Sequence, residues 1–365
     1  MTKSSIPFSF YLSQANMLSY LEHYILALGL KTINLGKSQE GRVITEYTWG
    51  KGAICVAIWS QMHGNESTGT FCIYDLLESI LGLSTKKRDL LSKQVTLRIL
   101  PVLNPDGAFR YTRESANGVD LNRDSIDKST PEIKLFWDWI DRIKPDLALN
   151  LHDQRSRFSA DGKVATLSFL APSPNVEREI TPARAVSMRA ISRMHKHLSN
   201  IHSVGMGKYT DEFYPTATGD NLMAKGISNI LFEAGADSQT AESREIARGL
   251  QSEGMWFLLE NLHEVIAPQR VSEDDLLSYS NIPENKASMC DYIYHTEPSI
   301  PFPEGQVVEL DINRNWSVEK GLKMDITVRG IGTKAMLTNV YKIPDSIQQK
   351  LTNVTDFVVN EKIEL

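Results

Sequence analysis

Cysteine, excess positive charge and long apolar runs are all scarce in this chain of 365 residues. Cys55, Cys72 and Cys290 are its only cysteines, odd in number and far apart, so they build neither a disulfide framework nor a metal knuckle. The net charge of −6 leaves no basic footprint for nucleic acid or for an anionic membrane surface. No apolar stretch approaches the roughly 20 residues that cross a bilayer. The opening segment Met1 to Pro7 carries one lysine and no apolar run behind it, so no secretory leader is expected. A reducing cytoplasm is the expected compartment. Internal repeats and low-complexity tracts are missing too. These absences leave a soluble globular class, long enough for one large domain with a smaller appendage.

Within that class the chain alternates strand and helix signals. Met17, Leu18, Leu21, Tyr24, Ile25 and Leu28 fall at helical spacing, so an amphipathic helix is predicted over 16–28. Arg42 to Trp49 and Ala53 to Ser60 read as strands, the second apolar enough to be buried on both faces. Thr68 to Leu81 reads as a helix and Val95 to Leu103 as another buried strand, stopped by the turn signal Asn104-Pro105-Asp106-Gly107. A helix starts at Pro131 with Thr130 as its N-cap, followed by a short strand, Leu147 to Leu151. Helices near 181–199 and 240–264 flank a strand from Ile227 to Phe232. The alternation implies an α/β fold, a mixed central sheet flanked by helices. The composition shifts after Pro268, with a segment rich in Pro, Ser, Asn and Glu over 281–304. Beyond it lie four strand-like stretches, Val307 to Ile312, Met324 to Val328, Met336 to Ile343 and Asp356 to Ile363. Two units are therefore expected: a domain over 1–267, then a linker and a small β-rich C-terminal module over 268–365.

The chemistry gathers at strand ends. His63 is the one histidine followed by a glutamate at the third position, Glu66, and the pair lies between a buried strand and the next helix. His152 directly follows the strand ending at Leu151. In an open α/β sheet, ligand sites collect at the carboxyl ends of strands, so the three residues can aim at one point. Two imidazoles and a carboxylate, with a fourth position open, make a catalytic zinc site. One Zn²⁺ per chain is expected there.

Several short motifs, in order from about Gly36 to Gly235, resemble the zinc carboxypeptidases related to carboxypeptidase A. Gly36 to Tyr47 resembles the strand region before the metal motif, and Met62-His63-Gly64-Asn65-Glu66 and Leu151-His152 match the three zinc ligands. Asn104-Pro105-Asp106-Gly107 matches the turn after the second strand, Arg113 stands ten residues before Arg123, and Phe232-Glu233 ends a strand. The resemblance implies a metallopeptidase that hydrolyses the C-terminal peptide bond of a peptide with a free C-terminus. It implies Glu233 as general base, Arg113 as oxyanion stabiliser, and Asn122 and Arg123 as the grip on the terminal carboxylate. Asp120 would fix the ring of His63, and Tyr214 would cap the bound terminus, with Tyr209 as a competitor for that role.

Departures from the pattern bear on specificity. Asp124 stands where the family usually has Asn, and Asp153-Gln154 follows His152 where Ser or Gly is commoner; both are expected to add acid or amide near the pocket. Gly219, close to the specificity position, leaves the side-chain pocket undefined. The alternative activity is a zinc amidase or deacylase on the same fold, acting on N-acyl amino acids or cell-wall peptides. A non-catalytic peptide-binding module is the reading from another class, and it requires a lost ligand or base. The oligomeric state is not legible.

Overall fold

The computed structural model describes the chain apart from residues 238, 242, 268–270, 298–304, 318, 333, 355–356 and 365. The chain opens with helix α1, Gln14–Leu28, capped by the Ser13 hydroxyl, which accepts from the Asn16 N–H. It ends at Gly29, whose φ of 65° is the left-handed conformation that glycine adopts without steric cost. Strands β1, Lys31–Lys37, and β2, Val43–Gly50, pair antiparallel, and β3, Ile54–Trp59, leads towards helix α2, Thr68–Leu81. Helix α3, Thr85–Gln94, then β4, Val95–Leu100, helix α4, Pro105–Arg110, and helix α5, Pro131–Ile143, precede β5, Leu147–Asp153. After β6, Ser159–Ala160, and β7, Lys163–Leu170, come α6, Pro182–Ile201, β8, Gly205–Lys208, α7, Thr218–Ala224, and β9, Ser228–Ala234. Helix α8, Glu245–Glu260, and the short α9, Leu262–Val265, close this part of the chain.

The strands form one nine-stranded mixed sheet in the order β1-β2-β4-β3-β5-β9-β7-β6, with β8 beside β7. Its centre, β4-β3-β5-β9, is parallel, and antiparallel pairs flank it on both sides. Such a centre is covered on both faces, which is why its strands are apolar at nearly every position. In β3, Val56 and Ile58 join the core that α1, α2, α6 and α8 cover, whereas Ala57 and Trp59 join the core under α5. β5 divides alike, with Leu147, Leu149 and Leu151 on the first face and Ala148 on the second. No helix among the described residues is long and apolar enough to cross a membrane.

Some elements differ from the sequence-based expectation. Strand β1 is an exposed edge and α3 has no buried residue, so neither carries the apolar period that marks an element. β7 and β8 were not expected either, and they sit on the far side of β9. The turn at 104–107 is the start of α4: the Asn104 side chain accepts from the Gly107 N–H at 2.8 Å, and Pro105 occupies the first turn. The helix expected from about 240 begins at Glu245.

The strand-rich C-terminal part follows helix α10, Glu273–Ser280, which opens with a reciprocal capping box between Ser272 and Asp275. It contains β10, Met289–Cys290, β11, Tyr292–His295, the long hairpin β12, Val307–Ser317, and β13, Gly321–Gly332, then β14, Thr338–Asn339, helix α11, Asp345–Leu351, and β15, Lys362–Glu364. β11, β12, β13 and β15 form an antiparallel sheet, and β10 pairs with β14. Met336 to Ile343, expected as a strand, supplies only β14, and the Pro-rich stretch at 298–304 lies outside the described residues, as does the start of the stretch from Asp356. The small sheets do not stand alone. Val164, Ala236 and Ala241 enter their core, and Ser159 bridges to Lys286. A few short strands need such a surface to be stable.

One buried ion pair ties the chain's beginning to the helical face. Arg248 of α8 donates to both oxygens of Asp75 of α2, at 2.8 and 2.7 Å, and both side chains are fully buried. Asp75 also accepts from the Ser4 N–H and the Ser252 hydroxyl, and Arg248 donates to the Ile6 carbonyl. Without Asp75, the buried Arg248 keeps only Glu245, partly exposed and 3.4 Å away, and breaking a buried pair typically costs about 3–5 kcal/mol. Asp75→Ala is therefore expected to lower the unfolding free energy by about 3–5 kcal/mol. Denaturant titration checks this, and a loss under about 1 kcal/mol would show that the pair is dispensable.

Candidate active site and metal centre

The loop after β3 is locked before it delivers any side chain. Ser60 donates its N–H to the Leu100 carbonyl, Gln61 turns the backbone at φ 44°, and its amide bonds the Gly64 carbonyl at 2.8 Å. At Gly64 a Cβ would fall 2.0 Å from the Gly107 carbonyl carbon, so only glycine lets this loop lie against α4. His63 and Glu66 project from the loop, and His152 arrives from the end of β5. His63 Nδ1 lies 2.8 Å from a Glu66 oxygen, and His152 Nδ1 lies 3.0 Å from His63 Nδ1 and 3.0 Å from the other Glu66 oxygen. All three are buried, with their ligand atoms within 4.8 Å of one another. Burial alone would push the His63 ring down, yet Glu66 and Asp120 outweigh it and raise the ring to about 9. The anions thus favour a positive charge at this point, the condition that a bound cation satisfies. The donor set and its electrostatics fit zinc.

Asp120 organises the neighbourhood. Its Oδ1 lies 3.0 Å from His63 Nε2 and accepts from the Asn122 N–H at 2.9 Å, and its Oδ2 accepts from Arg113 Nε at 3.1 Å. Burial works against the Asp120 carboxylate, but the bond to His63 and the Arg113 charge hold it far below the usual range. Arg113 also reaches Glu66 at 3.2 Å. Asn122 and Arg123 lie in a single 3₁₀ turn, Leu121–Arg123, that starts at Asp120. Asn122 Oδ1 accepts from the Thr218 N–H at 3.0 Å, which leaves the side-chain N–H₂ free of that contact. Arg123 is exposed, with its guanidinium 5.5 Å from the ring centre of Tyr214, itself half-exposed.

Glu233 is placed by register. β9 runs parallel to β5 with Glu233 opposite His152, and antiparallel to β7 with Glu233 opposite Ser168. Burial, with Glu66 beside it, raises the Glu233 carboxyl well above the usual range. The structure therefore groups His63, Glu66 and His152, sets Glu233 beside His152, and links Arg113 and the turn bearing Asn122 and Arg123 to His63 through Asp120.

The profile of the zinc carboxypeptidase family matches residues 29–230. The chain belongs to that family. It is 32% identical over 98 residues to carboxypeptidase 2 of Trichophyton tonsurans, covering 26% of this chain and 18% of that one. It is likewise 32% identical over 105 residues to carboxypeptidase SOL1 of Arabidopsis thaliana, covering 25% and 21%. The chain spans less than half the length of the curated relatives it matches. Among solved structures, a metallo-carboxypeptidase from Burkholderia cenocepacia shares the fold with a TM-score of 0.55, 19% identity and 70% of each chain covered. Carboxypeptidase A from Helicoverpa armigera does so with a TM-score of 0.53, 17% identity and 75% and 78% covered.

The departures from the family pattern resolve in two ways, for Asp153 and Gln154 do line the cleft beside Glu66 and Arg113, as expected. Asp124 does not add acid to the pocket: it is buried and accepts from the N–H and hydroxyl of both Ser129 and Thr130, capping the loop before α5. Asp153 bonds the Thr68 hydroxyl at 2.7 Å, while its own N–H holds Glu66 at 3.0 Å. Gly219 is small for a packing reason, since a Cβ would lie 2.9 Å from Asn229 Oδ1 and 3.0 Å from Pro172. The two tyrosines separate: Tyr214 lies by Arg123, while Tyr209 is turned to Gln154, whose Oε1 it bonds at 2.8 Å. Burial and the nearby Glu233 push the Tyr209 phenol up. Asn285 joins this network at 3.2 Å from Gln154. Nothing in the sequence pointed to Asn285, because it lies in the segment that reads as a linker.

Zinc added to the purified protein should bind with a stoichiometry of about one per chain, raising the melting temperature by mass action. His152→Ala removes one ligand of three and should abolish both effects. Equilibrium dialysis with elemental analysis checks this, and unchanged zinc binding in the variant would place the metal elsewhere.

Proposed function

We propose that this chain is a zinc-dependent exopeptidase that removes the residue at a free peptide C-terminus. The observation that carries the reading is the shared anchor at Asp120: one carboxylate holds the ring of His63, the Arg113 guanidinium and the turn bearing Asn122 and Arg123. A pair of groups suited to a carboxylate is thereby kept at fixed reach from the metal ligands. In this reading His63, Glu66 and His152 hold the ion. When bound, zinc supplies Lewis acidity, polarising a carbonyl and making water more acidic. Glu233 takes the proton of the attacking water and passes it to the leaving amine nitrogen. Arg113 stabilises the negative charge that develops on the carbonyl oxygen. Asn122 and Arg123 bind the terminal carboxylate, and Tyr214 closes over the bound residue. The catalytic domain is assigned to 1–267 and the remainder to a linker and an accessory module. Peptides are the proposed partners, and with free thiols at Cys55, Cys72 and Cys290 a reducing cytoplasm is the proposed compartment.

Two measurements test the roles. Glu233→Gln keeps size but cannot accept a proton, so zinc content should be unchanged and turnover should fall by about 10²–10⁴-fold. Near-normal turnover with zinc bound would remove Glu233 from the chemistry. Losing a charge-assisted hydrogen bond costs about 1.5–3 kcal/mol, so Arg123→Ala and C-terminal amidation should each lower kcat/KM at least about tenfold. Combined, they should cost little more, because both delete one contact. Equal losses by Arg123→Ala on free-acid and amidated peptides would favour the amidase or deacylase activity instead.

A further inference from the structure

The cleft beside the metal ligands is walled partly by the C-terminal sheet. Its volume is about 440 Å³, and Glu66 and Arg113 line it together with Ile312, Asn313, Arg314 and Tyr341. Asn122, Arg123 and Tyr214 are not part of its lining, so it leaves the metal ligands on another side than the carboxylate clamp. In the exopeptidase reading, a peptide held at its C-terminus by Asn122 and Arg123 would run its upstream residues into this cleft.

Six basic and five acidic side chains line the cleft, and three of the bases stand apart from the acids. Arg155, Arg314 and Lys362 line it, and among the described residues none of them has a carboxylate within ion-pair distance. Arg314 is held in place, its guanidinium 3.9 Å above the Phe10 ring and donating to the Ala241 carbonyl. Arg157 shares Asp311 with Arg329, at 3.5 and 3.0 Å, and its buried Nε has no partner among the described residues. The lining acids are mostly engaged. Asp153 accepts from Thr68 and lies 3.2 Å from Arg244, Asp291 accepts from the Ile312 N–H at 2.6 Å, and neither Asp291 nor Glu114 has a cationic side chain within ion-pair distance among the described residues. Burial lowers the guanidinium groups of both Arg157 and Arg314, and neighbouring arginines add to the effect. A solvated basic rim would explain Arg155 and Lys362, but not an arginine packed on an aromatic ring or a buried N–H left unpaired.

We propose that this cleft is a recognition subsite for residues upstream of the scissile bond, selecting peptides with acidic side chains there through Arg155, Arg157 and Arg314. The C-terminal module is then part of the substrate site, not an appendage. The subsite rests on the exopeptidase reading only for the direction in which the peptide lies. A carboxylate arriving here meets guanidinium forks already positioned and partly desolvated, the arrangement that makes a charged contact selective.

The test uses the zinc-loaded full chain and two fluorescein-labelled peptides of equal length, with glutamates or glutamines upstream of the same C-terminal alanine. The last peptide bond is a reduced, non-hydrolysable isostere, so binding is read by anisotropy without turnover. The acidic peptide should bind at least about fivefold tighter at low salt. That preference should collapse near about 1 M salt, where screening acts within about 3 Å. Arg155→Gln, at an exposed position, and Arg314→Gln should each reduce the preference by at least about half. Equal affinities, no binding of either peptide, or a preference untouched in the Arg155 variant would overturn the subsite. The hydrolysable versions, read by mass spectrometry, keep the two readings apart. An acidic preference in binding with no residue lost from either peptide retains the subsite and contradicts the exopeptidase reading. Loss of alanine from both peptides with equal affinities does the reverse.

Discussion

The Asp120 carboxylate joins the parts of the site into one rigid unit. It stands between the ring of His63, the guanidinium of Arg113 and the backbone of Asn122, so it fixes three groups with a single charge. A metal ligand whose far ring nitrogen is held by a carboxylate keeps its orientation before any ion arrives, and such a contact behind a ligand commonly decides affinity. The same bonds set how far Asn122 and Arg123 lie from the metal ligands. Loss of Asp120 would therefore loosen the His63 ring, the Arg113 guanidinium and the turn bearing Asn122 together.

Asp120 can do this because the sheet presents its neighbours in register. The parallel pairing of β3 with β5 aligns Trp59 with Asn150, and the pairing of β5 with β9 sets His152 against Glu233. A slip of one residue in either pair would turn the functional side chains to the opposite face. The division of the apolar residues between two covered faces resists such a slip, since it would also exchange the small Ala57 and Ala148 for larger neighbours. Core packing and catalytic geometry are thus specified by the same residues.

How far the sequence discloses this depends on the kind of signal. The buried strands and the helices over 68–81 and 131–143 were legible because burial leaves an apolar period, and Thr130 was legible as a cap by its hydroxyl. His63, Glu66 and His152 were legible because ligand chemistry at strand ends is tied to local sequence, whereas Glu233 was legible only through its resemblance to the family motif. Strand β1 and helix α3 lacked the signal because they bury little, and β14 is too short to hold the alternation read into Met336 to Ile343. The position of Asp124 shows a different limit: an acid beside a motif can face away from the pocket to cap a loop, and only three-dimensional contacts tell the two apart. Asn285 and the arginines of the C-terminal sheet belong to contacts between distant segments, which no local pattern encodes.

The C-terminal sheets change what the family fold offers as a surface. They share a core with Val164 and Ala236 and contribute residues to the cleft beside the metal ligands. The central claim is that this surface and the metal ligands serve the removal of a single terminal residue. A digest of a mixed peptide library by the zinc-loaded protein, read by mass spectrometry, tests that claim most directly. The account predicts products shorter by one C-terminal residue, and none when a chelator is present. Internal cleavage, or release of an N-acyl group with the C-terminus intact, would contradict it.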